Sequence, residues 1–130
     1  MTQKDAFASA GRQKPAPPYS PFVVYGDLIF ISGTIGRDPE TGEIARGDVA
    51  AQTRQALETI RRRLEQAGSD MGKVVKATVF LVDMAHFSRM NEAYRAAFPG
   101  PLPARSCVQV TALPDPEALV EIEVIAGRGK

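Results

Sequence analysis

Tryptophan is absent from this 130-residue chain, and histidine and cysteine occur once each, as His86 and Cys107. A single cysteine excludes an internal disulfide, and one Cys with one His cannot supply the ligand set of a zinc site. Any Ser-His-Asp or Cys-His mechanism would have to run through His86 alone. An excess of one charge is lacking too: sixteen Lys and Arg face fifteen Asp and Glu, for a net charge of +1. No domain-wide field points to nucleic acid or to a membrane surface. The longest apolar run, around Leu28–Ile31, is far short of the ~20 residues of a membrane span. Small residues at Ala6–Ala10 are not accompanied by an apolar stretch, so no signal peptide is expected. The unpaired cysteine suits a reducing compartment, and the expected location is cytoplasmic.

What is present reads as one folded domain. With 44% hydrophobic and 24% charged residues, the chain has the composition of a globular protein, at a length that rarely splits into two cores. Residues 1–18 read as a flexible N-terminal arm, because Pro15, Pro17 and Pro18 favour extended backbone. The domain proper is expected over 19–130. Val23–Tyr25 and Leu28–Ile31 flank Gly26-Asp27 as a β-hairpin with a II′ turn. Asp38–Gly42 is a surface turn, and Asp48 is the N-cap of a first helix. Val49, Ala56, Leu57, Ile60, Leu64 and Ala67 form its apolar stripe, Gln52, Gln55, Glu58, Arg62 and Glu65 cover the other side, and Gly68 ends it.

Val74–Val82 is the clearest strand, with Val75, Ala77, Val79 and Leu81 on one face and Val74, Lys76, Thr78, Phe80 and Val82 on the other. A second helix is expected over Ala85–Ala97, stopped by Pro99-Gly100-Pro101, and two strands over Arg105–Thr111 and Leu119–Ala126. The order β-β-α-β-α-β-β implies an α+β fold, with two helices on one face of a sheet. The other face would carry Leu119, Ile125, Phe80 and Val82 beside Glu121, Glu123, Arg105 and Gln109. An apolar face of that kind, with no third helix to cover it, predicts self-association.

Few residues can carry chemistry. His86 reads as a solvated surface residue. Cys107 reads as a small buried apolar residue, with Arg105 two positions earlier on the same strand face as a source of positive field. A strand-borne Arg105 needs an anionic partner. It is either an ion pair with Glu121 or Glu123, or a bidentate fork for a ligand carboxylate. Glu121 and Glu123 alternate with Val120, Ile122 and Val124, so both point away from the helices. Each is either a solvated edge-strand carboxylate or a general base with a tuned pKa. Tyr19, and Ser32 with Gly33 at a strand end, complete the polar candidates.

The segments Tyr19-Ser20-Pro21, Ile31-Ser32-Gly33, Asp48–Thr53, Lys76–Asp83, Met90–Tyr94, Pro103–Val108 and Val120–Glu123 occur in the order and spacing of one family. In them the chain resembles the RidA/YjgF reactive-intermediate deaminases, also labelled endoribonuclease L-PSP proteins, over about Pro18–Arg128. The resemblance implies a chorismate-mutase-like fold with a mixed sheet, assembled as a homotrimer around a central barrel, with ligands in clefts between subunits. It implies hydrolysis of 2-imino and enamine acids to 2-keto acids and ammonia, without cofactor or metal. Arg105 would clamp the substrate carboxylate, the Cys107 backbone would hydrogen-bond substrate or water, and Glu121 would activate the attacking water. Tyr19, Ser32 and Gly33 would line the pocket, and Asn91 would brace it. Thr34, Pro21 and Pro17-Pro18 depart from the common family residues around the pocket rim. A non-catalytic trimer that binds small keto acids is the alternative. RNA cleavage is disfavoured by the charge balance and the missing basic-aromatic platform.

Overall fold

A computed structural model describes residues 3–7 and 16–129. Eight main elements follow one another: β1 (Lys4–Phe7), β2 (Phe22–Tyr25), β3 (Leu28–Ile35), α1 (Val49–Gln66), β4 (Val74–Leu81), α2 (Phe87–Ala96), β5 (Ala104–Gln109) and β6 (Val120–Gly127). The strands form one mixed sheet in the order β1-β2-β3-β6-β4-β5. All its pairings are antiparallel except β4 with β5, which α2 connects as a crossover. Both helices cover one face, as expected.

Local signals place the elements. Gly26 has φ +62° and Asp27 does not share it, which fits Gly at the first central position of the II′ turn between β2 and β3. Asp48 caps α1 by accepting hydrogen bonds from the Ala50 and Ala51 N–H groups. The whole predicted stripe of α1 is buried against Ile29, Ile31, Val79, Ile122 and Val124 of the sheet. Glu58 and Arg62 form the i,i+4 pair at 3.0 Å. Within the N-terminal arm, Lys4–Phe7 pairs with β2, and Phe7 stacks on Phe22 at 4.4 Å between ring centroids. Residues 8–15 of that arm lie outside the described residues.

Three expectations need correction. Register slips between Val74 and Lys76 in the pairing of β4 with β6, so Val74 is buried and Val75 is 55% exposed. A bulge adds one residue and turns over the side chains before it. Gln52, expected on the polar side of α1, is 4% exposed. Its amide donates to the Glu117 carbonyl at 3.1 Å and accepts from the Leu119 N–H at 2.8 Å, tying α1 to the entry of β6. Leu119, expected on the open face, consequently packs against the core.

The end of β3 runs so close to α1 that a Cβ on Gly36 would stand 2.6 Å from the Gln52 carbonyl oxygen and 2.7 Å from its Cα. Backbone cannot step aside as a side-chain tip can. Gly36→Ala is therefore expected to lower stability by about 1–3 kcal/mol, read as a lower midpoint in urea with unchanged slope. An unchanged midpoint would show that α1 can shift outward at no cost.

Candidate active site

Arg105 pairs in register with Ala77, and Cys107 with Val79. Both partners are fully buried beneath the helices, so Arg105 faces α2 and not the open face of the sheet. This corrects the expected placement, and the cause is the parallel register of β5 on β4. The guanidinium lies 4.8 Å from the Tyr94 ring centroid and 5.7 Å from that of Phe87. Its Nη1 donates to Asn91 Oδ1 at 2.8 Å and approaches the Met90 sulfur at 3.8 Å. Phe87, Asn91 and Tyr94 stand at i, i+4 and i+7 on one side of α2, which is how a helix builds a seat for one side chain. The two aromatic walls were not anticipated as site residues.

No ion pair with Glu121 or Glu123 forms, because both point to the opposite face of the sheet, in register with Phe80 and Thr78. All fifteen Asp and Glu lie among the described residues, and none bridges Arg105. Its Nε and Nη2 have no acceptor among the described residues. A cleft lined by Asn91, Tyr94, Arg95, Leu102, Pro103 and Arg105 opens beside it. The Tyr94 hydroxyl is buried without a partner, and burial pushes the phenol up, the Arg105 charge opposing. Burial also pushes the half-buried Cys107 thiol up, with Arg105 opposing. Such a thiol is a poor nucleophile, so what Cys107 can offer a ligand is backbone on the outermost strand. His86 ends a short 3₁₀ turn, Met84–His86, and its Nδ1 is enclosed without a partner. It is therefore partly covered rather than fully solvated as expected.

The other candidates gather at a second place. β3 bulges between Ile31 and Thr34. There Ser32 Oγ donates to the Ser20 carbonyl at 2.6 Å, and the Ser32 N–H donates to the Pro21 carbonyl at 3.0 Å. These bonds strap Tyr19-Ser20-Pro21 along the bulge, with Tyr19 59% exposed. The Glu121 carboxylate rests on Gly33, where a Cβ would overlap its Oε2 and stand 2.9 Å from Cδ. Glu121 is half-buried on β6, an interior strand rather than the edge strand considered from sequence. Desolvation holds its carboxyl above the usual carboxylate range, and repulsion from Glu123 adds to this. On the same open face a groove runs past Phe30, Ser32, Lys76, Thr78, Glu123 and Ile125.

One chain thus carries two groups of candidate residues: a cationic fork with its aromatic seat on the helical face, and a carboxylate with a bulge and a tyrosine strap at β3. A small ligand cannot touch both from one copy, since the sheet lies between. Among the described residues no cluster of three or more His, Cys, Asp or Glu could hold a metal ion, and no helix is long and apolar enough to cross a membrane.

Known proteins share this sequence pattern and fold. The endoribonuclease L-PSP family profile matches residues 10–127. A RutC family protein of Pyrococcus horikoshii is 46% identical over 95% of this chain and 97% of its own length. The 2-iminobutanoate/2-iminopropanoate deaminase of Mus musculus is 46% identical over 86% of this chain and 82% of its own. The crystal structure of E. coli TdcF with bound serine superposes with a TM-score of 0.83 at 38% identity, covering 95% of this chain and 98% of that one. The chain belongs to the endoribonuclease L-PSP family, the RidA/YjgF family of the sequence resemblance.

Proposed function

We propose that this chain is a cofactor-independent imine deaminase, which hydrolyses 2-imino and enamine acids of the 2-aminoacrylate/2-iminopropanoate kind to 2-keto acids and ammonia. It works as a homotrimer whose open sheet faces meet, so that Arg105 of one copy and the β3 bulge of a neighbour share a cleft. The observation that carries this reading is Arg105 itself: a guanidinium seated by Asn91, Tyr94 and Phe87, with no carboxylate of its own chain and two donor groups unspent. Burying part of a cation without an anion is costly. A planar fork left open in this way matches a ligand carboxylate. The mouse relative is named as an imine deaminase and the E. coli relative binds serine, an amino acid with the same carboxylate.

In the proposed reaction Arg105 fixes the carboxylate, and Glu121 as carboxylate takes a proton from a water lying against the imine carbon. The water oxygen forms the new C–O bond, and the C=N electron pair moves to nitrogen. Glu121 returns the proton to nitrogen to give the carbinolamine; it then carries the hydroxyl proton to the amine, the C–N bond breaks, and ammonia leaves as the carbonyl forms. A carboxyl held above its usual range is a better base near neutrality than an ordinary one. Tyr19, Ser32 and Gly33 line the pocket, and the Cys107 backbone holds substrate or water. The proposed setting is the cytoplasm, in keeping with a lone free thiol.

The test is direct. 2-Iminopropanoate is made in place from alanine by an amino-acid oxidase and trapped with semicarbazide. Added protein is expected to lower the trapped fraction steeply, and the scattering mass is expected to be that of three chains. Unchanged trapping would overturn the enzymatic reading, and a mass of one chain would overturn the shared cleft.

A further inference from the structure

Three arginines stand in a row on the last turns of α1, and they fare differently. Arg61 pairs with Glu58 and Glu65, and Arg62 with Glu58. Arg63 turns inward, is half-buried, and donates from Nη1 to the Thr34 hydroxyl at 3.2 Å. None of the fifteen carboxylate side chains bridges it. Desolvation lowers its pKa, with Tyr19 opposing. A neutral hydroxyl is a weak return for a partly dehydrated guanidinium.

Its position matters more. β2 begins at Phe22, opposite Ile31, so beyond Ile31 the outer edge of β3 has only the Ser20–Pro21 strap beside it. At that edge two adjacent residues, Gly33 and Thr34, face opposite sides of the sheet. The Glu121 carboxylate lies over Gly33 on one side. On the other lies Arg63, joined through the Thr34 hydroxyl to the Ser32 carbonyl, which Thr34 reaches at 2.8 Å. Tyr19 stands at the same rim.

We infer that Arg63 is a specificity-determining residue that receives a second anionic group of the substrate, so that the preferred substrates are 2-imino acids with a carboxylate at the far end of the side chain. The inference rests on the deaminase reading for the reaction, but on separate atoms for the selectivity. Arg105 takes the carboxylate next to the imine, and Arg63 takes the distant one by a charge-assisted, fork-shaped contact. Lysine at this position would supply the charge without the fork.

Binding of the keto-acid products tests it independently of turnover. Titration calorimetry of the natural chain is expected to show 2-ketoglutarate or oxaloacetate bound about tenfold or more tighter than pyruvate, the effect of one charge-assisted contact. Arg63→Met is expected to collapse that ratio towards one, and Arg63→Lys to restore part of it. Equal affinities in the natural chain, no binding of either acid, or an equal loss for both acids in Arg63→Met would overturn the proposal. The last result would leave Arg63 as a brace for Thr34 only. Hydrolysis of 2-iminopropanoate is followed alongside. Selective binding without hydrolysis would sink the deaminase reading and leave the second-anion site standing; hydrolysis without selectivity would do the reverse.

Discussion

An Arg105→Ala chain is expected to lose about 10²- to 10³-fold in kcat/KM for 2-iminopropanoate, because two charge-assisted hydrogen bonds to the carboxylate disappear together. No neighbouring cation replaces them: Arg95 lines the same cleft but is exposed, and Asn91 lacks charge. Arg105→Lys is expected to recover only part of the loss. An ammonium keeps the attraction but cannot grip both oxygens at once, so the imine carbon wanders relative to the water. The seat predicts a second signature. The Phe87 and Tyr94 rings lie against the guanidinium, so the deficit should appear in KM and kcat together, as for a group that both binds and orients. Thermal unfolding of both variants checks that α2 remains docked. Full activity in Arg105→Ala would remove the clamp from the mechanism.

The second large effect is expected at a residue with no side chain. Gly33→Ala places a methyl group where the Glu121 carboxylate now rests. The flexible glutamate tip moves rather than the strand, so the chain folds, but the base leaves its place. A displacement of about 1 Å at a reacting group costs on the order of 10²-fold in rate, and a fall of that size in kcat is expected. The pH profile carries the diagnosis. In the proposed mechanism Glu121 acts when deprotonated, and desolvation raises its pKa above the ordinary 4.5. The acid limb of the natural enzyme therefore lies higher than an ordinary carboxylate would place it. A carboxylate pushed out to water returns towards the ordinary value, so the limb of Gly33→Ala moves to lower pH while its plateau falls. A lower plateau with an unmoved limb would mean that Gly33 serves ligand approach and not the placing of Glu121.

Much of this arrangement was legible along the chain, and the misses share one cause. Asp48, Gly68 and the stripe from Val49 to Ala67 announce α1 through local rules of capping and period. Gly26-Asp27 announces the first hairpin in the same way. The candidates Arg105, Asn91, Glu121, Ser32 and Gly33 were also singled out, by residue type and by family spacing. Hidden were the bulge that buries Val74 and exposes Val75, the buried amide of Gln52, and the inward turn of Arg63. Each depends on what lies opposite in space, and a polar residue on a helix reads as solvated until its neighbour is known.

By itself, then, the sequence determined the elements from Phe22 onward, their order, the covered face of the sheet and the residues able to do chemistry, since these follow from short-range periodicity and side-chain type; the strand Lys4–Phe7 was not among them. The face of Glu121 and Glu123 followed from strand alternation, but the tertiary structure alone decided the face on which Arg105 and Cys107 stand. β5 joins β4 in parallel through a crossover, and its register is set by pairing across some thirty residues, as with Lys76 opposite Ala104. Side chains alternate along a strand, so a slip of one residue would turn all of them over. That register alone puts Arg105 against α2, on the opposite face of the sheet from Glu121.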